Sequence, residues 1–144
     1  MDEIAMPHVL EHLGQRTEVY SNILSELYRV CCHGATITVV VPHPRHGDFL
    51  HEATHVRAVT VGLSMFSCKN CEEWIVKAQA KTPLAMIARV NFDVVESEFI
   101  LDEPWASKLA LKSLTQVQVM EAIKMHNNVA KETNAVLRVI KENS

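Results

Sequence analysis

The chain reads as an open α/β fold built on one βαβ unit, and three features of its first quarter say so. Residues 3–6 form a short extended run that Pro7 interrupts, residues 17–30 carry helical spacing, and Thr36-Ile37-Thr38-Val39-Val40-Val41 is a nearly uninterrupted β-branched run. A run of that kind marks a strand buried on both faces, the usual state in a parallel sheet with helices on either side. Strand, helix and strand in that order make one βαβ unit. Ligands of open α/β sheets bind beyond the carboxyl ends of the strands. A ligand site is therefore expected around His8 to His12 and in the loop after Val41.

Taken in order, the first strand runs through Pro7 into one or two helical turns that close at Gly14, with His8, Glu11 and His12 presented where the strand ends. Thr17 is a candidate cap for a helix whose apolar residues Val19, Ile23, Leu24, Leu27 and Val30 recur three and four apart, with Glu18 in its first turn. Gly34 closes this segment, and Pro42 and Pro44 stop the second strand. Residues 43–57 are polar and rich in histidine, with His43, His46, His51 and His55 interspersed among Arg45, Asp48, Glu52 and Arg57. Such a loop on a rigid scaffold is where binding groups concentrate.

Leu63 and Phe66 begin the next packed segment, and Asn70 or Cys71 caps a helix that runs to about Ala80 and ends before Pro83. Residues 84–90 and 92–101 read as two strands, or as one strand with its approach. In the second, Val95, Phe99 and Leu101 alternate with Glu96, Glu98 and Ile100, as in a strand near an edge. Residues 108–128 hold at least one long helix, and residues 134–141 make the last strand.

Composition narrows the function. The 144 residues, 48% hydrophobic, make a single domain (1–144) with a sizeable core. A formal charge of −3 gives no basic field, so no nucleic-acid partner is expected. The apolar runs are too short to span a bilayer. Cys31 with Cys32 and Cys68 with Cys71 form two tight pairs, which suits reduced thiols in a cytoplasmic setting.

His8 and His12 are four apart and share a face if the segment is helical, with Glu11 adjacent. The metalloprotease helix places its Glu directly after the first His, where Val9 stands here. These side chains either line a ligand pocket or cap the strand and orient a loop. Cys68-Lys69-Asn70-Cys71 has the spacing that lets two thiolates reach one zinc, which His51 and His55 would complete. Two ordinary half-buried cysteines are the plainer reading, and no resident metal is expected. Neither a G-x-S-x-G elbow, a P-loop nor a G-x-G-x-x-G turn occurs.

The run Asp2-Glu3-Ile4-Ala5-Met6-Pro7-His8-Val9-Leu10-Glu11-His12-Leu13, followed by Glu26-Leu27-Tyr28-Arg29-Val30 and then by Gly34, residues 36–41, Pro42 and His43, resembles the second half of a class I S-adenosylmethionine-dependent methyltransferase. In that family a His-Val-Leu-Glu-His pattern follows the fourth strand, and a Tyr-Arg-Val segment leads through Lys-Pro-Gly-Gly into the fifth. Here the turn reads Cys31-Cys32-His33-Gly34-Ala35. Thr54-His55-Val56-Arg57 with Phe66 is similar to the loop after the fifth strand, and residues 92–95 and 137–140 resemble the closing antiparallel strand pair.

The resemblance implies a partial Rossmann-like methyltransferase sheet in three layers, with family strand order 3-2-1-4-5-7-6. It implies candidate catalytic roles for His8, Glu11 and His12, with His8 beside the cofactor's methionine moiety or the acceptor and Glu11 and His12 orienting that turn. His43, His55 and Arg57 would lie on the acceptor side. The family's glycine-rich loop and ribose-binding carboxylate belong to strands with no counterpart here, so S-adenosylmethionine binding by this chain alone is not expected. The expected function is methyltransferase-like, incomplete and inactive alone, with a non-catalytic binding module or a small zinc protein as alternatives. A partner completing the sheet, or a second copy in a dimer, is expected to cover the first strand.

Overall fold

The computed structural model describes residues 1–78 and 83–142. Four strands, β1 (Glu3–Pro7), β2 (Thr36–Pro42), β3 (Phe92–Leu101) and β4 (Ala130–Val139), form one open sheet in the order β1-β2-β4-β3. β1 and β2 are parallel and joined by helix α1 (Thr17–Val30), which is the expected βαβ unit. β4 runs antiparallel to both of its neighbours.

The core lies on one face of the sheet. Ile37, Val39 and Val41 of β2, Leu137 and Val139 of β4 and Phe92 of β3 pack with Tyr20 and Leu24 of α1 and with Leu63 and Phe66 of a 3₁₀ turn (Val61–Phe66). Each large apolar side chain so buried stabilises the fold by about 1.5 to 3 kcal/mol relative to exposure. On the other face Thr36, Thr38, Val40, Asn134 and Val136 are only half-buried and Arg138 is exposed. The three-layer expectation therefore gives way to two layers among the described residues. Alternation in β2 explains this: Ile37, Val39 and Val41 fall on the helix side, while the opposite face carries the Thr36 and Thr38 hydroxyls.

Several elements depart from expectation. α1 begins at Thr17 itself, with Arg16 as N-cap and no side-chain cap bond. Residues 47–50 form a short helix α2 (Gly47–Leu50), capped by His46, whose ring accepts the Asp48 N–H. Helix α3 (Cys68–Ala78) starts before Asn70, and its expected end at Ala80 lies outside the described residues. Leu84–Ala88 is helix α4 rather than a strand, stopped by Arg89 at φ 54°. The long helix expected over 108–128 is two, α5 (Trp105–Ala110) and α6 (Gln116–Met125). Lys112 takes φ 58° between them, and Thr115 opens α6 with a capping box to Gln118. α5 and α6 gather a second small cluster around Phe99 and Leu101 at the end of β3.

Among the described residues β1 pairs only with β2, so its outer edge is open. His8 donates its N–H to the Val40 carbonyl at 2.8 Å. By the alternation of a parallel ladder, the Ala5 amide and the Pro7 nitrogen, which has no hydrogen, then face the open side.

Candidate functional site

The chain turns sharply where β1 ends. His8 sits at φ 51°, in the left-handed region that favours glycine, and leads into a 3₁₀ turn (Leu10–His12). Leu10 anchors that turn in the core, and Glu11 beside it is only 1% exposed. The Glu11 carbonyl accepts the N–H groups of Val56 and Arg57 at 2.9 and 3.2 Å. This clamps the histidine-rich loop onto the turn, so the two stretches separated by β2 form one site.

At its centre is the Glu11 carboxylate. The His8 Nδ1 lies 3.6 Å and the His12 Nε2 3.9 Å from its Oε1, yet among the described residues neither carboxylate oxygen has a hydrogen-bond partner. His12 Nδ1 is 3.1 Å from the Thr54 carbonyl, and His55 Nδ1 is 2.9 Å from the Phe49 carbonyl. Since a carbonyl only accepts, both Nδ1 atoms carry the proton. The His12 and His55 rings lie 4.7 Å apart, and Phe49 stacks on His55 at 5.2 Å. The other His8 nitrogen is 3.1 Å from Glu132 Oε1. Thr54 donates its N–H and hydroxyl to Glu52, and these bonds hold the Glu52 carboxyl below its usual range, with His55 and His12 adding to the effect.

Arg57 follows His55 but faces elsewhere. Its guanidinium lies 4.1 Å over the Tyr20 ring and donates to the Gly14 carbonyl at 3.0 Å. Burial pushes the Tyr20 phenol up to about 12, with Arg57 opposing. His43 is buried, edge-on to Phe99 at 5.4 Å, and its Nδ1 accepts the Arg45 N–H. Burial first, then Arg45 and His46, hold its imidazole below the ordinary value. Of the three residues assigned to the acceptor side, His55 joins the turn through its side chain and Arg57 through its backbone, while His43 packs against β3.

The cysteine-based zinc set is not assembled. Among the described residues, the one group of three or more His, Cys, Asp or Glu close enough to share a metal ion is Glu11, His12 and His55. Cys68 sits against Val90, with its backbone N–H held by Asn91 at the start of β3, whereas His55 is tied to the first turn. His51 is exposed. Sequence reading also missed the His46–Asp102 pair, in which Nε2 donates to the carboxylate at 2.8 Å. Fifty-six residues separate these partners, and no local pattern marks them.

Comparison with known proteins adds the fold. No family model matches the chain. No curated protein matches it either. Among solved structures it is similar to a SAM-dependent methyltransferase from Archaeoglobus fulgidus, at 18% identity and a TM-score of 0.55, over 96% of this chain and 59% of that one. It also aligns with the YcgJ protein from Bacillus subtilis, at 10% identity and a TM-score of 0.49, over 99% of this chain and 65% of that one. The chain thus shares the fold of part of the archaeal protein and spans about three fifths of its length. Among the described residues, no helix is long and apolar enough to cross a membrane.

Proposed function

We propose that the chain forms the acceptor-side part of a class I S-adenosylmethionine-dependent methyltransferase domain. The observation that carries this reading is the strand order β1-β2-β4-β3 with β4 alone reversed, which corresponds to strands 4-5-7-6 of the family order. Strands pairing with the outer edge of β1 would then complete the sheet, whether from another segment, a second copy or a partner.

The residues present do not make a full cofactor site. A cofactor loop needs glycines whose missing side chains leave room for the ligand. At Gly14 that room is already taken by the Tyr20 backbone, 2.6 Å from where a Cβ would stand, and Gly34 borders open space with nothing to cradle. No transfer step is therefore assigned to the chain alone. Its own contribution is orientation, by a turn that Leu10 anchors and the loop clamps, with His8, Glu11 and His12 at the strand end and His55 against them. Methyl transfer depends mainly on such positioning.

The test is titration of the isolated chain with S-adenosylmethionine, followed by calorimetry and amide NMR. The expected result is no saturable heat, with shift changes at millimolar ligand confined to residues 7–13. One-to-one binding with a micromolar Kd would contradict the partial-site reading. Complete absence of shifts would favour a second reading, a non-catalytic binding module. That reading draws on an apolar cavity of about 620 Å³ lined by Phe99, Leu101, Leu109, Val119, Met120 and Ile123.

A further inference from the structure

We propose that Glu11, His12 and His55 form a site for one divalent transition-metal ion of the zinc class. Three observations carry this, and none depends on the methyltransferase reading. First, the Glu11 carboxylate is buried, and among the described residues both its oxygens lack a hydrogen-bond partner, an arrangement that is costly for an anion unless a cation compensates it.

Second, both histidines are oriented as ligands. Thr54 and Phe49 carbonyls hold the two Nδ1–H groups, so that in the neutral imidazole each Nε2 offers a lone pair. A backbone carbonyl on the far ring nitrogen is the usual support of a metal-bound histidine, since it fixes tautomer and ring direction. Thr54 is itself held, because its hydroxyl donates to Glu52 at 2.9 Å. In the neutral imidazole this places a His12 nitrogen lone pair 3.9 Å from a Glu11 carboxylate oxygen.

Third, the ligand atoms of the three residues lie within 4.8 Å of one another. Ligand atoms around a bound zinc are roughly 3 to 3.5 Å apart, given bonds of about 2.0 to 2.1 Å. Reaching that spacing takes a closing of roughly 1 to 2 Å between ligand atoms. Two imidazoles and one carboxylate suit zinc, cobalt or iron better than calcium or magnesium, and three protein ligands leave a coordination position open to water or a ligand. His12 is exposed and His55 part-exposed, so an ion can enter.

The whole chain, freed of metal with a chelator, is titrated with zinc by calorimetry and with cobalt(II) by visible absorption at pH 8. Expected are one equivalent bound, cobalt bands without a thiolate charge-transfer component, and affinity reduced by more than about tenfold in both Glu11→Gln and His55→Gln. Cys68→Ser leaves binding unchanged. Long-range nitrogen spectra of the unmutated chain give a second readout that does not depend on the variants folding. There, zinc moves the Nε2 signals of His12 and His55 and leaves their Nδ1–H in place. Failure to bind, unchanged affinity in Glu11→Gln, loss of binding in Cys68→Ser, or histidine signals that do not respond would each overturn the proposal.

Discussion

Replacing Glu11 by methionine separates the two forces on its carboxylate. In chelator at pH 8, where imidazoles carry little charge, the native side chain is a buried carboxylate that has no hydrogen-bond partner among the described residues, with the nearest ring nitrogens, of His8 and His12, at 3.6 and 3.9 Å. An apolar residue of similar length removes that desolvation penalty, and replacements of this kind stabilise by about 1 to 4 kcal/mol. The His8 contact reduces the gain, so about 1 to 3 kcal/mol is expected. At roughly 3 °C per kcal/mol for a chain of this size, Tm rises by about 3 to 9 °C. With zinc at one hundred times its Kd, the native chain gains about 2.7 kcal/mol that Glu11→Met does not, which narrows or reverses the order. Circular-dichroism melts in chelator and in zinc measure both differences. A Glu11→Met chain that melts below the native one in chelator would refute the reasoning, because it would mean that the carboxylate is already satisfied.

His8→Gly relieves a left-handed backbone while losing the contact to Glu132, so its Tm stays within about 3 °C of the native value; a fall above about 8 °C would show a core role. For His43, burial lowers the folded-state pKa below 6.5, so the unfolded chain takes up the proton first and stability falls as pH drops through that value. Urea melts of His43→Leu at pH 7 and pH 5 accordingly show a smaller loss on acidification than those of the native chain. Burial raises Tyr20 to about 12 and lifts Tyr28 above its ordinary value, so the alkaline absorbance titration of the folded chain lies above that of the unfolded chain, with one tyrosine ionising near pH 12. Leu24→Ala, deep in the core beneath α1, costs about 2 to 5 kcal/mol by chemical denaturation.

Local pattern made the first half of the fold legible. The spacing of Leu24, Leu27 and Val30 and the β-branched run of β2 each specify one element, and those elements fix the βαβ unit. The strand expected over 84–90 failed because a short apolar run has no period of its own. Packing of Ala85 and Ala88 made it helix, and Arg89 in the left-handed region ended it. The long helix over 108–128 broke where Lys112 reverses the chain and Thr115 offers a cap, a signal that sequence reading could have used.

At the site, His8, Glu11 and His12 were visible as a local group. The burial of Glu11 and the approach of His55 were not, because both depend on the loop bonding back across β2 to the Glu11 carbonyl. Nor does the second half of a β-branched strand say which of its faces will find helices; the Thr36 and Thr38 hydroxyls were the clue.

Whether β1 is an interior strand of a larger sheet is tested most directly by amide exchange on the isolated chain, read together with its mass by light scattering at tens of micromolar. The Met6 and His8 amides, directed at β2, are expected to exchange slowly. The Ala5 amide is expected to exchange slowly only in an associated species and rapidly after dilution to monomer. A monomer at every concentration with a protected Ala5 amide would contradict the account, because it would show that the edge is already covered from within the chain.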